Sequence, residues 1–395
     1  MIQLNNYITA SKARVKADKN TPAERMHELL EQVRPQLYGR EVYRAKADIN
    51  GIIVQLITNV RHQYDFWLAN WLIVGESTAE QATLYSVNGV LHMEPSAYYS
   101  PDLHTSLFVN TEYYGQCKSW ALGMAAAILE KNFNTLSIHG ALASFAGKGV
   151  VIVAPTGTGK TTQAFKLFLH PEGKIIGDDW VYVKFPDRMP SDPKPPLVGS
   201  QPEKSLYMRT ETQKDQPWLR EVFDRCNVEN VTVRKEDCEY PVGDDGCGLT
   251  GGKCVFNEGF THCYYAFGNS RAMVPREALL GPEKVADSAQ IRLIVLLRRD
   301  DHSPAEVVLD LDQAIKVLKK GEYQIRPGAG PKEQWGKMGY EPWYNPYLLE
   351  LDHQRQERYF RLIFEEWDIP CVLLNTGVET VDETHESILR RLVNA

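Results

Sequence analysis

The residues best able to do chemistry lie in one stretch, Ala154, Pro155, Thr156, Gly157, Thr158, Gly159, Lys160, Thr161 and Thr162. From Ala154 to Thr161 it reads A-x-x-x-x-G-K-T, one substitution away from the P-loop pattern G-x-x-x-x-G-K-[ST]. In that pattern successive backbone N–H groups cradle phosphate oxygens, the lysine neutralises their charge and the threonine hydroxyl holds Mg²⁺. The spacing predicts a phosphate site over residues 154–162, with Lys160 as its cation and Thr161 as a metal ligand. A Gly-rich turn between a strand and a helix has no need of Lys-Thr after its last glycine. A second group, Asp178 and Asp179, follows Ile175-Ile176-Gly177. Paired carboxylates there supply the oxygen ligands that a hard divalent cation beside phosphates requires.

These residues need elements to hold them. Val150 to Val153 is a short β-branched run, long enough for a buried strand. Thr161 to Leu169 is helix-competent, which sets the phosphates at a helix N-terminus. Pro155 biases Ala154 towards an extended backbone, so a strand end can carry alanine in place of the pattern's first glycine. Upstream, His139 opens a hairpin whose turn at Gly147 to Gly149 returns the chain beside the P-loop, bringing His139 towards the phosphates. Lys118, in Tyr113-Tyr114-Gly115-Gln-Cys-Lys118, precedes a strongly helical segment from Trp120 to Lys131. It can be aimed at an anion or left in solvent, and lysine's preference for exposure favours solvent.

Elsewhere residues 1 to about 45 read as helix, with Thr21 as a cap and Pro22 at the first helical position. Strands are expected at 51–58, 180–185, 205–209, 230–234, 291–297 and 371–374, and helices near 218–225, 312–320 and 355–367. The aromatic run Tyr64 to Val74 reads as core, and 240–260 as a Gly-rich loop. At 395 residues the chain is long enough for two fused domains, divided here as an N-terminal lobe, 1–135, and a P-loop lobe, 136–395. The net charge of −7 argues against a nucleic-acid surface and against an anionic membrane. The first residues lack an apolar signal-type run, and no apolar run approaches the ~18 residues of a membrane span, so a cytoplasmic protein is expected. Cys238, Cys247, Cys254 and Cys263 cluster in sequence beside His262, but without a C-x-x-C pair; reduced thiols are the expectation over a zinc site.

Set in order, these pieces resemble ATP-dependent phosphoenolpyruvate carboxykinase, and more distantly HPr kinase/phosphorylase. The family's G-L-S-G-T-G-K-T-T is matched by residues 154–162, and its G-D-D by Gly177-Asp178-Asp179. Its M-H-C-S-A-N segment is similar to Ile138-His139-Gly-Ala-Leu-Ala, and its Y-G-G-E-M-K-K to Tyr113-Tyr-Gly-Gln-Cys-Lys118-Ser119. E-G-G-C-Y-A-K-T is similar to Glu203-Lys-Ser-Leu-Tyr-Met-Arg209-Thr, and N-T-R-V-x-Y-P to Asn269-Ser-Arg271-Ala-Met-Val-Pro. A late pattern runs from Leu311-Asp-Gln-Ala through Gly321-Glu-Tyr to Gly328-Ala-Gly. The match is collinear from about residue 52 to near 350. It departs from the family at Ser119 and Arg209, where the family has lysines. It also lacks an R-S-P-K-D segment, for which Arg40 is the candidate substitute.

The resemblance implies a carboxykinase-like P-loop fold, a mixed twisted sheet flanked by helices, with a smaller N-terminal lobe. It implies ATP as donor, Mg²⁺ on Thr161 with Asp178 or Asp179, and Mn²⁺ on His139 and Asp179. Lys160, Asp178, Arg209, Arg271 and Lys118 would be catalytic. The acceptor would be a small carboxylate such as oxaloacetate. A serine or small-molecule hydroxyl, including one on a protein, is the HPr-kinase-type alternative, with Asp178 as its base. A nucleotide-binding regulatory module without chemistry is the third reading.

Overall fold

Runs of β-branched and aliphatic residues alternate along the chain with amphipathic helical stretches, and the computed structural model is accordingly mixed α/β with several twisted sheets. It describes residues 4–9, 14–38, 41–187, 194–243, 245–326 and 332–394. The chain divides into two compact units, residues 1–121 with 203–281 and residues 122–202 with 282–395. The expected boundary near residue 135 lies inside the second unit, and residues 203–281 join the first.

The first unit contains a seven-stranded sheet in the order Lys16–Asp18, Ser96–Ser100, Thr105–Val109, Ala82–Val87, Ile52–Thr58, Tyr43–Ile49, Leu72–Val74. The helix Ala23–Val33 packs Met26, Leu29 and Val33, one stripe at helical spacing, against Val87, Leu107 and Val109. The N-terminal region is therefore not a continuous helix: strands at Asn5–Tyr7 and Lys16–Asp18 precede this one. Thr21 does not cap it, because its hydroxyl donates to Asp18 Oδ2 at 3.0 Å. Phe66, Trp67 and Trp71 are fully buried, as expected of that aromatic run. A four-stranded sheet, Asn5–Tyr7, Asn227–Glu229, Arg271–Pro275, Ser205–Arg209, completes this unit. The expected strand at 230–234 is not formed; the strand here is Asn227–Glu229, and Thr232 makes only an isolated bridge to Cys263.

The second unit is organised on the strand Ser288–Arg298. On one side it pairs in parallel with the P-loop strand Lys148–Val153. On the other its first residues pair with Val198–Ser200 and its last with Cys371–Asn375, the latter in parallel. Gly140–Phe145 and Gly173–Gly177 extend the sheet beyond the P-loop strand; Val181–Lys184 and Thr135–Ile138 extend it beyond Val198–Ser200. Val150 to Val153 and Leu293 to Leu297 are buried almost completely, which is why both stretches read as unbroken apolar runs. A helix at Val381–Asn394, which the expectations above do not include, follows the last strand. Among the described residues no helix is long and apolar enough to cross a membrane.

Candidate active site

The site in the second unit arises where two strands change partners at the same level. Thr135–Ile138 pairs with Val181–Lys184, Ile138 opposite Val181. Gly140–Phe145 pairs instead with Gly173–Gly177, Leu142 opposite Gly177. His139 is the single residue between the first strand of each ladder, and Asp178-Asp179-Trp180 joins the second strands. The crossings therefore face each other. The third segment arrives by register as well: Gly140 lies opposite Val153, the residue before the P-loop. Two sheet crossings and one strand end thus bring His139, Asp179 and Lys160 together.

The contacts bear this out. Lys160 Nζ lies 3.1 Å from His139 Nε2 and 3.7 Å from Asp179 Oδ1, and the imidazole and carboxylate are 3.4 Å apart. His139 Nδ1 is 2.9 Å from the Tyr344 carbonyl. A carbonyl only accepts, so the hydrogen-bond network assigns the proton to Nδ1 and leaves the Nε2 lone pair directed at Lys160. Burial pushes the His139 pKa below its ordinary value, the Lys160 ammonium lowers it further, and Asp179 only partly opposes them. The neutral, ligating form is thereby favoured. Tyr344 presents its carbonyl from a left-handed backbone (φ 51°), next to Trp343 at φ 60°. Such conformations cost about 1–3 kcal/mol each in non-glycine residues. Here Trp343, buried and stacked on Phe360 at 5.6 Å, helps to hold the segment in place.

The loop 154–159 turns at Gly157 (φ 82°) and Gly159 (φ 99°), conformations that side chains resist. Ala154 is buried and does not adopt a left-handed backbone, so the pattern's missing glycine carries no conformational penalty. The helix Lys160–Leu169 follows with Gly159 as its N-cap and no capping side chain. The amides of its first turn, where Thr161 and Thr162 are exposed, face no such competitor for an anion. Asp178 is half-buried beside Asp179. The donor set suits a divalent cation that takes one imidazole, one carboxylate and its remaining ligands from phosphate or water. The Lys160 ammonium already brings positive charge to His139 Nε2 and Asp179. Among the described residues no three His, Cys, Asp or Glu side chains form a metal-holding group.

Lys118, Arg209 and Arg271 belong to the first unit. Lys118 is not solvated: it is buried, with Nζ 2.9 Å from Glu203 Oε1, and Asn70 Nδ2 donates to the same oxygen at 3.0 Å. The partner is 85 residues away, which is why helix-start logic misses it. Ser119 donates its hydroxyl back to Gly115 O at 2.7 Å. Arg209 and Arg271 are directly opposite on paired strands, and each reaches the Gly268 carbonyl at 3.4 Å. Arg271 is buried over the Tyr207 ring, whereas Arg209 is exposed beside Glu211. Arg40 and Gly328-Ala-Gly lie outside the described residues.

One feature of the first unit has no forerunner in the sequence reading. Asn59, Val60, Arg61, His62, Asn88, Gly89 and Glu112 line a polar cavity of about 340 Å³. Arg61 is fixed by both oxygens of Asp65 at 2.8 Å. His62 Nε2 is 2.8 Å from Glu229 Oε2, and Glu229 also accepts from Tyr207 and lies opposite Arg271 in the sheet. The cavity wall is thus connected through Glu229 to the Arg271 strand. The only advance signal was an Arg-x-x-x-Asp spacing, which on a helix lets two side chains meet.

The cysteines Cys238, Cys247, Cys254 and Cys263 are free thiols lining a small apolar pocket of about 30 Å³. Comparison of the chain with models of known protein families and with curated proteins returns no match.

Proposed function

We propose that this chain is an ATP- and divalent-metal-dependent phosphotransferase of phosphoenolpyruvate carboxykinase type, with the corresponding P-loop fold in its second unit. The observation that carries the reading is the meeting of Lys160, His139 and Asp179 beside a loop with two left-handed glycines at a helix N-terminus. Motif matching alone does not require His139, 21 residues upstream, to touch the P-loop lysine.

Within this reading, the amides of residues 156–161 bind the triphosphate and Lys160 turns from His139 and Asp179 to its oxygens. Charge then spreads over fixed donors as the γ-phosphoryl group moves, which is the main catalytic demand of such a transfer. Divalent ions, Mg²⁺ with Thr161 and Asp178 and Mn²⁺ with His139 and Asp179, would neutralise phosphate charge and orient the acceptor oxygen. Arg271 and Arg209 present guanidinium groups from neighbouring strands, suited to oxyanions of donor or acceptor. In the family reaction oxaloacetate loses CO₂ and its enolate oxygen takes the γ-phosphoryl group, giving phosphoenolpyruvate and ADP.

The test is an ATP-dependent turnover assay with oxaloacetate and, separately, with a panel of hydroxyl acceptors. Oxaloacetate should yield phosphoenolpyruvate and ADP, and Lys160→Ala should reduce that rate by about 10²-fold or more, as for loss of one preorganised charge contact. Turnover with a hydroxyl acceptor alone would move the protein to the HPr-kinase type. An unchanged rate in Lys160→Ala would remove the P-loop assignment.

A further inference from the structure

Three carbonyls of the P-loop are held by side-chain donors, two of them from distant strand ends. Thr158 Oγ1 donates to Pro155 O at 2.7 Å, Arg299 Nη1 to Gly157 O at 3.3 Å and Thr376 Oγ1 to Thr158 O at 2.9 Å. In a trans peptide the C=O and the following N–H point in opposite directions. Holding the carbonyls of Pro155, Gly157 and Thr158 therefore fixes the direction of the following amides, those of Thr156, Thr158 and Gly159, each opposite to its own carbonyl. Successive amides turned to one side form the concavity that binds an anion.

The Thr376 hydroxyl has one proton and two carbonyls within reach, and the Thr158 contact at 2.9 Å is shorter than the one to Arg298 O at 3.2 Å. Its position is also over-determined. The buried Asn375 accepts the N–H groups of Asp300 at 3.1 Å and Gly377 at 2.9 Å, and donates to Ser303 O at 3.0 Å. Gly377 is needed there, because a Cβ would come within 2.3 Å of the Asp300 carbonyl. Arg298 and Asn375 end two strands parallel to the P-loop strand, at the carboxyl end where open α/β sheets bind ligands.

We propose that Thr376, supported by Arg299, is a positioning residue for the nucleotide, orienting the Gly159 and Thr158 amides before phosphate arrives. This deepens the reading of the loop as a nucleotide phosphate site and rests on it. Neither residue needs to touch the ligand. The hydroxyl matters, and the rest of the side chain does not.

The experiment measures binding of Mg·ADP and of tripolyphosphate, a probe with no base or ribose, to full-length wild type, Thr376→Val and Thr376→Ser by titration calorimetry. Thermal unfolding of each is recorded in parallel. Valine keeps the shape and removes the donor; serine keeps the donor. Thr376→Val should weaken both ligands by about tenfold, in line with one oriented hydrogen bond. Its unfolding midpoint should match wild type, and Thr376→Ser should bind within about twofold of wild type, as its donor is retained. Wild-type affinity in Thr376→Val would overturn the positioning role. So would equal losses of affinity and midpoint in the valine and serine variants, which is what a purely structural threonine would give. Failure of the wild type itself to bind either ligand would overturn the phosphate-site reading, and the inference with it.

Discussion

At the scale of single residues, the turn at Gly157 and Gly159 and the helix start at Lys160 were legible because both belong to one stretch of chain. His139 and Asp179 each stood out as candidates, but their meeting was implied only by the resemblance, since it depends on two strands changing partners at matched positions. Arg61 was not legible as a cavity residue at all, because the opposite wall comes from Asn88 and Glu112. If His139 and Asp179 share one cation, His139→Ala and Asp179→Asn should each weaken Mn²⁺ binding. Losing a ligand should cost no less than the roughly 10–100-fold typical of changes to outer-shell groups. Titration of free Mn²⁺ by electron paramagnetic resonance, with ADP present, reads this without turnover. Wild-type affinity in both variants would exclude the shared ion.

Among elements, the long apolar strands and the amphipathic helices were readable because one face or both must be buried. In the N-terminal 45 residues the α-helix Ala23–Val33 starts where Thr21-Pro22 placed it, and the strands before it depart from the helical expectation. The uncharged Asn5–Tyr7 and the charged Lys16–Asp18 form short strands there, whose partners lie far along the chain. The helix Val381–Asn394 had a signal of its own, Thr380-x-x-Glu383. Glu383 Oε2 accepts from the Thr380 N–H at 2.8 Å, and Thr380 Oγ1 accepts from the Glu383 N–H at 3.2 Å, a reciprocal capping box. That helix start also meets the P-loop helix, since Gln163 donates to Val381 O at 2.9 Å and Lys166 pairs with Asp382. Thr380→Ala should lower stability by about 1 kcal/mol, the usual worth of such a cap. Urea unfolding measures it, and an unchanged midpoint would show that tertiary contacts alone fix the helix end.

Taken whole, the molecule consists of two units that are each discontinuous in sequence. A cut at residue 135 therefore divides no natural boundary. The fragment 136–395 would retain Asn227–Glu229 and Arg271–Pro275 but lose Asn5–Tyr7, which pairs with the former. Expressed alone, it should lack a single cooperative unfolding transition by calorimetry, whereas a sharp transition would mean that residues 203–281 fold without their N-terminal partners. The same pairing bears on how the protein is made. Asn5 meets Asn227 across a separation of 222 residues, so this strand is synthesised well before its neighbour. At ~5–20 residues per second it stays unpaired for on the order of 10–40 s. Throughout that interval the nascent chain carries an open strand, and chaperones have time to bind it before the sheet closes.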